Sequence, residues 1–375
     1  MFLYLCTVKL HVFNPEHDIS LGLDSCRFTL PKAVAHLKRA FDFLPVIWAD
    51  DGDLILVDDV ERALAGCYKL GMGRSASGRK EWGDVLFVTP DMLGSAEWAN
   101  RITAIEGWGM DKKLLTDICT IQPRLAPMVP GESYLANVRN MSARFWAAEK
   151  LVPKFQTLPH VVVEARRFSD YTLLYNTLQA GRRYVVKAPW SSSGRGVRLL
   201  EPSFDARSAG MGRNVHVDSH QENWIKNVIR AQGCVMLEPY WAGKVMDFGM
   251  EFEADSTGIR YQGLSIFKAK NGAYLGNLLD TEENKRLLLA AHVDMKLLDK
   301  LTKAILRELD GLIVGNYTGP FGIDMMLLED GRINPLVELN LRRTMGHVAI
   351  QLHARTRRKG WMVLNPAEAC VDVVD

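Results

Sequence analysis

Two carboxylates set inside apolar strands constrain this chain more than any other feature. The stretch Gly319-Pro-Phe-Gly-Ile-Asp324-Met-Met-Leu-Leu-Glu-Asp330-Gly331-Arg332-Ile-Asn-Pro-Leu-Val-Glu338-Leu-Asn340-Leu-Arg342-Arg343 puts Asp324 among Phe321, Ile323, Met325 and Leu327. Glu338 lies between Val337 and Leu339. Carboxylates so placed are costly to bury unless paired or bound to a metal. Residues 321–341 read as a β-hairpin around Asp330-Gly331. Glu338 and Asn340 then share one strand face. Asp324 joins them only in one register. A two-residue turn pairs it with Val337 and sends it to the opposite face. A three-residue loop, Asp330 to Arg332, or a bulge near Pro335, pairs it with Glu338. Such oxygen donors suit Mg²⁺, which takes one or two carboxylates and shares substrate phosphates. The competing reading is a half-exposed hairpin with salt bridges to Arg342 and Arg343.

A second stretch favours the metal. Tyr184-Val-Val-Lys187-Ala-Pro-Trp-Ser191-Ser192-Ser193-Gly194-Arg195-Gly196-Val197 is a β-branched strand that delivers a lysine, followed by hydroxyls and glycines. Glycines let successive backbone N–H groups face one anion, and Lys187 and Arg195 supply charge for phosphate oxygens. The lysine precedes the glycines, so this is not a Walker A loop. Taken alone, it reads equally as a flexible hairpin turn.

The 375 residues allow more than one core. Forty-seven per cent apolar and 24% charged residues are the proportions of a globular protein. A net charge of +2 gives no global field for nucleic acid or an anionic membrane. The scattered cysteines show no CxxC spacing, and reduced thiols in a cytoplasmic protein are expected. Residues 3–13 read as a first strand, 31–43 as a helix, and 54–57 and 85–89 as short strands: an α/β domain over residues 1–130. The loop 71–79 reads as surface. Proline-rich residues 122–131 mark a boundary. Beyond it, 133–150 reads as one helix, 182–188 and 234–237 as strands, and 281–309 as two amphipathic helices.

Together these residues resemble the ATP-grasp superfamily over residues 131–375. The "D…ExNxR" set of Asp324, Glu338, Asn340 and Arg342 and the Lys187–Val197 loop carry the resemblance. It implies an N-terminal α/β domain followed by an ATP-grasp fold of two α+β subdomains, 131–239 and 240–375, with ATP between them. By the same resemblance Lys187 meets the α- and β-phosphates, and Ser191 to Gly196 close over the triphosphate. Glu238, Tyr240 and Trp241 are similar to the adenine hinge, and Asp247 to the ribose carboxylate. Asp324, Glu338 and Asn340 would carry Mg²⁺, and Arg342 would stabilise the transferring phosphoryl group. Where many relatives carry an upstream lysine, Arg144 stands here, 43 residues before Lys187. Lys268 is either a phosphate or substrate contact or a solvated strand-end lysine.

The activity this implies is ATP-dependent ligation of small-molecule carboxylates and amines. An ATP-grasp small-molecule kinase and a nucleotide binder without turnover are the alternatives. Asn14, Glu16, His17 and Asp18 end the first strand, where α/β sheets bind ligands. They form either an acceptor site, with Arg343 as a further candidate, or a loop that caps the next helix. Oligomeric state is not encoded in any pattern seen.

Overall fold

The first strand, β1 (Lys9–Val12), is central in a parallel sheet ordered β3-β2-β1-β4. Its partners are β2 (Leu54–Leu56), β3 (Leu86–Val88) and β4 (Ala104–Gly107). The computed structural model describes residues 7–72, 83–191, 196–204, 215–270 and 273–374. The start of the expected 3–13 strand and most of the 71–79 loop lie outside them. Parallel neighbours need crossovers, and helices Lys32–Phe41 and Val60–Lys69 supply them. Pro31 sits at the N-cap of the first, where a missing N–H is harmless.

A second, antiparallel sheet has the order β5-β10-β6-β7: β5 (Arg166–Phe168), β6 (Tyr184–Lys187), β7 (Val197–Leu200) and β10 (Val235–Pro239). A short ladder, β8 (Ser203–Phe204) with β9 (Val215–His216), lies between β7 and β10 in the chain. Helix Ser219–Gln232 contributes Ile225 to a separate core with Val186, Leu200, Val235 and Leu237.

The third sheet has seven strands, ordered β15-β14-β11-β12-β13-β16-β17. They are β11 (Lys244–Asp255), β12 (Gly258–Lys270), β13 (Ala273–Leu279), β14 (Gly319–Leu328), β15 (Ile333–Asn340), β16 (Gly360–Asn365) and β17 (Cys370–Val374). Helix Met295–Ile313 presents Leu298, Leu301, Ile305 and Leu309 to this sheet's core, as an apolar stripe of period 3.6 requires.

The single helix expected over 133–150 is two, Glu132–Met141 and Arg144–Lys150. Ser142 turns its hydroxyl back to the Val138 carbonyl at 2.7 Å, and Ala143 is extended. A hydroxyl competing for the helix's own acceptor is the physical reason for a break here. Both helices pack side chains, Val138, Met141, Trp146 and Ala147, into the third sheet's core.

The chain then returns to its beginning. Val348 and Leu352 of helix Met345–Thr356, Met362 of β16 and Val371 of β17 share one core with Phe41, Phe43, Ile47 and Ile55 of the first unit. Among the described residues no helix is long and apolar enough to cross a membrane.

Candidate active site

The hairpin register places Asp324 opposite Glu338 and Gly322 opposite Asn340. The turn differs from the expected Asp330–Arg332 loop. The Leu328 N–H bonds the Arg332 carbonyl at 2.9 Å, so Glu329, Asp330 and Gly331 form the loop. Gly331 takes φ 78°, a conformation that glycine adopts without penalty. That turn alone would leave Asp324 out of step. A register shift between Asp324 and Met326, opposite the segment containing Pro335, restores it. The bulge near Pro335 is thus the device that unites the carboxylates.

Pairing continues across the sheet. Asp324 lies opposite Gly249, and Gly249 opposite Ser265. The next same-face row runs Asn340, Gly322, Glu251, Gly263. Because strand side chains alternate, Asp324, Glu338, Asn340, Glu251 and Ser265 project from one face. The Asn340 amide donates to Asp324 Oδ2 at 3.2 Å. Burial, and then the charges of Glu338 and Glu251, push the Asp324 carboxyl up to about 8.

Glu251 is a site residue that the sequence reading missed. It accepts the Ser265 hydroxyl at 2.7 Å and the Thr344 hydroxyl at 2.8 Å, and His347 Nδ1 lies 3.1 Å away. Glycines make room for it. A Cβ on Gly346 would stand 1.9 Å from Glu251 Oε1, and one on Gly322 2.3 Å from Oε2. Burial pushes the Glu251 carboxyl up to about 7. Burial, with the Arg343 charge, pushes the His347 imidazole down to about 3. The signal was available: Glu251 sits in Phe248-Gly-Met-Glu-Phe as Asp324 sits in its own apolar strand.

Among the described residues, Lys187, Arg144 and Arg342 lie along or just past strand β15, each already held by a carboxylate. Lys187 Nζ, at the end of β6, lies 2.7 Å from Glu238 Oε2 and donates to the Val337 carbonyl at 2.9 Å. Arg144, first residue of its helix, donates to Glu338 Oε1 at 2.5 Å, to the Ala188 carbonyl and to Ser191 Oγ at 2.8 Å. The upstream cation thus bridges the lysine loop and the hairpin. Arg342 grips Asp18 with two nitrogens, at 2.9 and 3.1 Å. Burial works to raise the Asp18 carboxyl, but the Arg342 charge and bonds outweigh it and hold it low. Gly196 packs so closely that a Cβ would meet Ser191 at 2.3 Å. Ser192, Ser193, Gly194 and Arg195 lie outside the described residues.

Asp18, Glu251, Ser265, Asp324, Glu338, Asn340 and Arg342 line a cavity of about 260 Å³ between the third sheet and the loops after β1 and β4. Asp18, Phe13 and Trp108 form its N-terminal wall. This is the crevice beyond the carboxyl ends of parallel strands. Of the four polar residues expected there, Asp18 alone among them lines the cavity. Asn14 and His17 instead bond Asp111, at 3.0 and 2.9 Å, which caps helix Lys112–Ile121. Glu16 is buried against Lys38 at 2.5 Å. Arg343 is drawn away to Glu106 at 2.7 Å and over the Trp48 ring. Lys268 stands 3.7 Å from the Trp361 ring centroid. Tyr240 is exposed under the Arg183 guanidinium, the Trp241 Nε1 is buried without a partner, and Asp247 pairs with Lys244 at 2.7 Å.

Among the described residues, no three His, Cys, Asp or Glu side chains gather as metal ligands do. A cation here would rest on Asp324, Glu338 and the Asn340 amide, within what Mg²⁺ accepts from protein. Asp324 is buried opposite Glu338 with the Asn340 amide as its donor, and this set of oxygen ligands fits a divalent ion.

No family model and no curated protein matches the chain. Solved structures do. Biotin carboxylase from Campylobacter jejuni matches with TM-score 0.52 and 12% identity over 98% of this chain and 74% of that one. N5-carboxyaminoimidazole synthetase from Staphylococcus aureus, complexed with ADP, matches at 0.46 and 10% over 98% and 80%. An ATP-grasp superfamily protein from Archaeoglobus fulgidus matches at 0.44 and 10% over 94% and 89%. The first of these carries the assignment that the hairpin and lysine strand suggested: the chain has the ATP-grasp fold.

Proposed function

We propose that this chain is an ATP- and magnesium-dependent ligase that activates a small-molecule carboxylate for attack by an amine. One observation carries the reading: Lys187 and Arg144 reach strand β15 at Val337 and Glu338, and Arg342 lines the cavity with Asp324, Glu338 and Asn340. Phosphoryl transfer needs positioning and charge neutralisation rather than a side-chain nucleophile. Lys187 and Arg144 bind phosphate oxygens, exchanging Glu238 and Glu338 for them. Arg342, oriented by Asp18, faces the phosphoryl group in transfer. Asp324, Glu338 and Asn340 would hold Mg²⁺, which supplies charge neutralisation when bound. The substrate carboxylate forms a bond to the γ-phosphorus as the bond to the ADP oxygen breaks. The amine then displaces phosphate from the acylphosphate and loses a proton. The biotin carboxylase match was solved as a β,γ-ATP complex, in line with a nucleotide in this cleft.

The test supplies ATP, Mg²⁺, a metabolite pool and hydroxylamine. Hydroxamate is the expected product. ADP release without hydroxamate would point to a kinase. The absence of both, with no shift in melting temperature on adding ADP, would refute nucleotide chemistry here. Glu338→Ala should abolish turnover while sparing much of the ADP binding.

A further inference from the structure

The cavity is chemically lopsided. Its described lining carries four carboxylates, Asp18, Glu251, Asp324 and Glu338, against one cation, Arg342. Asp18 and Arg342 neutralise each other at 2.9 Å. Asp324 and Glu338 face the divalent ion of the function proposed above. Glu251 is then left without a matching charge in the cavity. The apolar part of the same cavity is walled by Phe13, Leu37, Trp108, Phe267 and Leu364, with Phe13 and Trp108 packed edge to face at 5.2 Å. Glu251 Oε1 receives one donor, Ser265, and a carboxylate oxygen accommodates two. Nearby, Asn277 pairs with Phe267 across β13 and β12. Its Oδ1 is buried with no partner, as is the Tyr274 hydroxyl, and both residues line the cavity. Both atoms are closed off from solvent and a tyrosine hydroxyl donates as well as accepts, so neither sets the sign of a ligand, which Glu251 does.

We propose that this apolar part of the cavity is the acceptor subsite, and that it takes a cationic amine on a compact apolar body, bearing no carboxylate or phosphate of its own. Glu251 receives the ammonium, while Trp108, Phe13 and Phe267 cover the body. The inference rests on the ligase reading for the word acceptor. A second anion on the substrate would be buried with no described cation to meet it, a heavy penalty in a site of low dielectric. At about 260 Å³ the cavity is below the usual range for drug-sized ligands, which limits the body to one ring or a short branched chain.

The experiment measures binding by calorimetry to the full chain with Mg²⁺ and ADP present, using three probes with one body: 2-phenylethylamine, phenylalanine and phenylacetate. The amine should bind at least tenfold more tightly than either acid. Glu251→Gln, close to isosteric and still able to accept the Ser265 hydroxyl, should remove that preference. Leu37→Lys, which adds a cation to the apolar wall without touching the Glu251 cradle, should shift it at least tenfold toward the acids. Equal binding of all three probes, or a preference that survives Glu251→Gln, overturns the inference. Hydroxamate formation together with unselective probe binding would sink it and leave the ligase reading standing. Selective amine binding in a protein that binds no ADP would support the amine site and sink the ligase reading.

Discussion

Replacing Gly346 by alanine should be destabilising although the position is helical. Gly346 is the second residue of helix Met345–Thr356, where alanine is ordinarily favoured by roughly 1 kcal/mol over glycine. Here the new Cβ would lie 1.9 Å from Glu251 Oε1 and 2.7 Å from Ser265 Cβ. Glu251 cannot easily yield. Gly322 backs its other oxygen, and Ser265 and Thr344 hold it at 2.7 and 2.8 Å. Overpacking of this kind costs about 1–3 kcal/mol, so a net loss of up to about 2 kcal/mol remains after the helix preference is counted. Glu251→Ala alone should also destabilise, by roughly 1–3 kcal/mol, because two hydroxyls lose their acceptor. Together the two changes relieve each other, since the shortened residue 251 removes the obstruction. Urea denaturation followed by tryptophan fluorescence gives the four stabilities of the cycle. The double variant should be at least about 1 kcal/mol more stable than the sum of the single losses. Additive losses, or a Gly346→Ala variant more stable than the parent, would refute the cradle as described.

Other expectations follow from the same contacts. Lys187→Ala should weaken ADP binding about ten- to a hundredfold, the worth of a hydrogen bond to a charged group, and calorimetry reads it directly. Asp18→Asn leaves Arg342 without its countercharge and should cost about 3 kcal/mol of stability, the low end for a broken buried pair; an unchanged denaturation midpoint would refute the pairing. His347 is neutral in the fold, near 3, and titrates around 6.5 when unfolded. Its contribution is complete above pH 6.5 and is lost at about 1.4 kcal/mol per unit as pH falls toward 3. His347→Gln should flatten that limb of the stability profile, and parallel profiles would count against it. Glu251 sits near 7 with His347, Arg342 and Lys285 around it. Phenylethylamine affinity should therefore rise about tenfold per unit up to pH 7 and then level, whereas a flat profile between pH 5 and 8 would count against Glu251 as the amine's partner.

The hairpin was readable because its chemistry is local. Two carboxylates and an amide that must share a face leave few registers open, and the sequence reading named a bulge near Pro335 as one of them. What it could not supply was the choice between bulge and turn, which depends on how Gly331 closes against Leu328. The break at Ser142 was hidden for a related reason: the hydroxyl's partner is a backbone carbonyl, and composition does not show it. Asn14 and His17 looked free in the sequence. Their partner Asp111 lies more than ninety positions away, and only the folded first sheet brings it near. Glu251 carries the same sign in the sequence as Asp324, a carboxylate set inside an apolar strand.

The core shared between the first unit and the chain's last two strands has a consequence for dissection. Phe41, Phe43 and Ile47 interleave with Val348, Leu352 and Val371, and Asp18 holds Arg342 across the same junction. A fragment begun at residue 131 would bare that oily seam and free the arginine beside Asp324 and Glu338 at one stroke. The front layer is therefore no detachable module to be exchanged for another substrate-reading domain. Any recombination that swaps it must carry the C-terminal helix and strands along, so the two ends of the chain must diversify together.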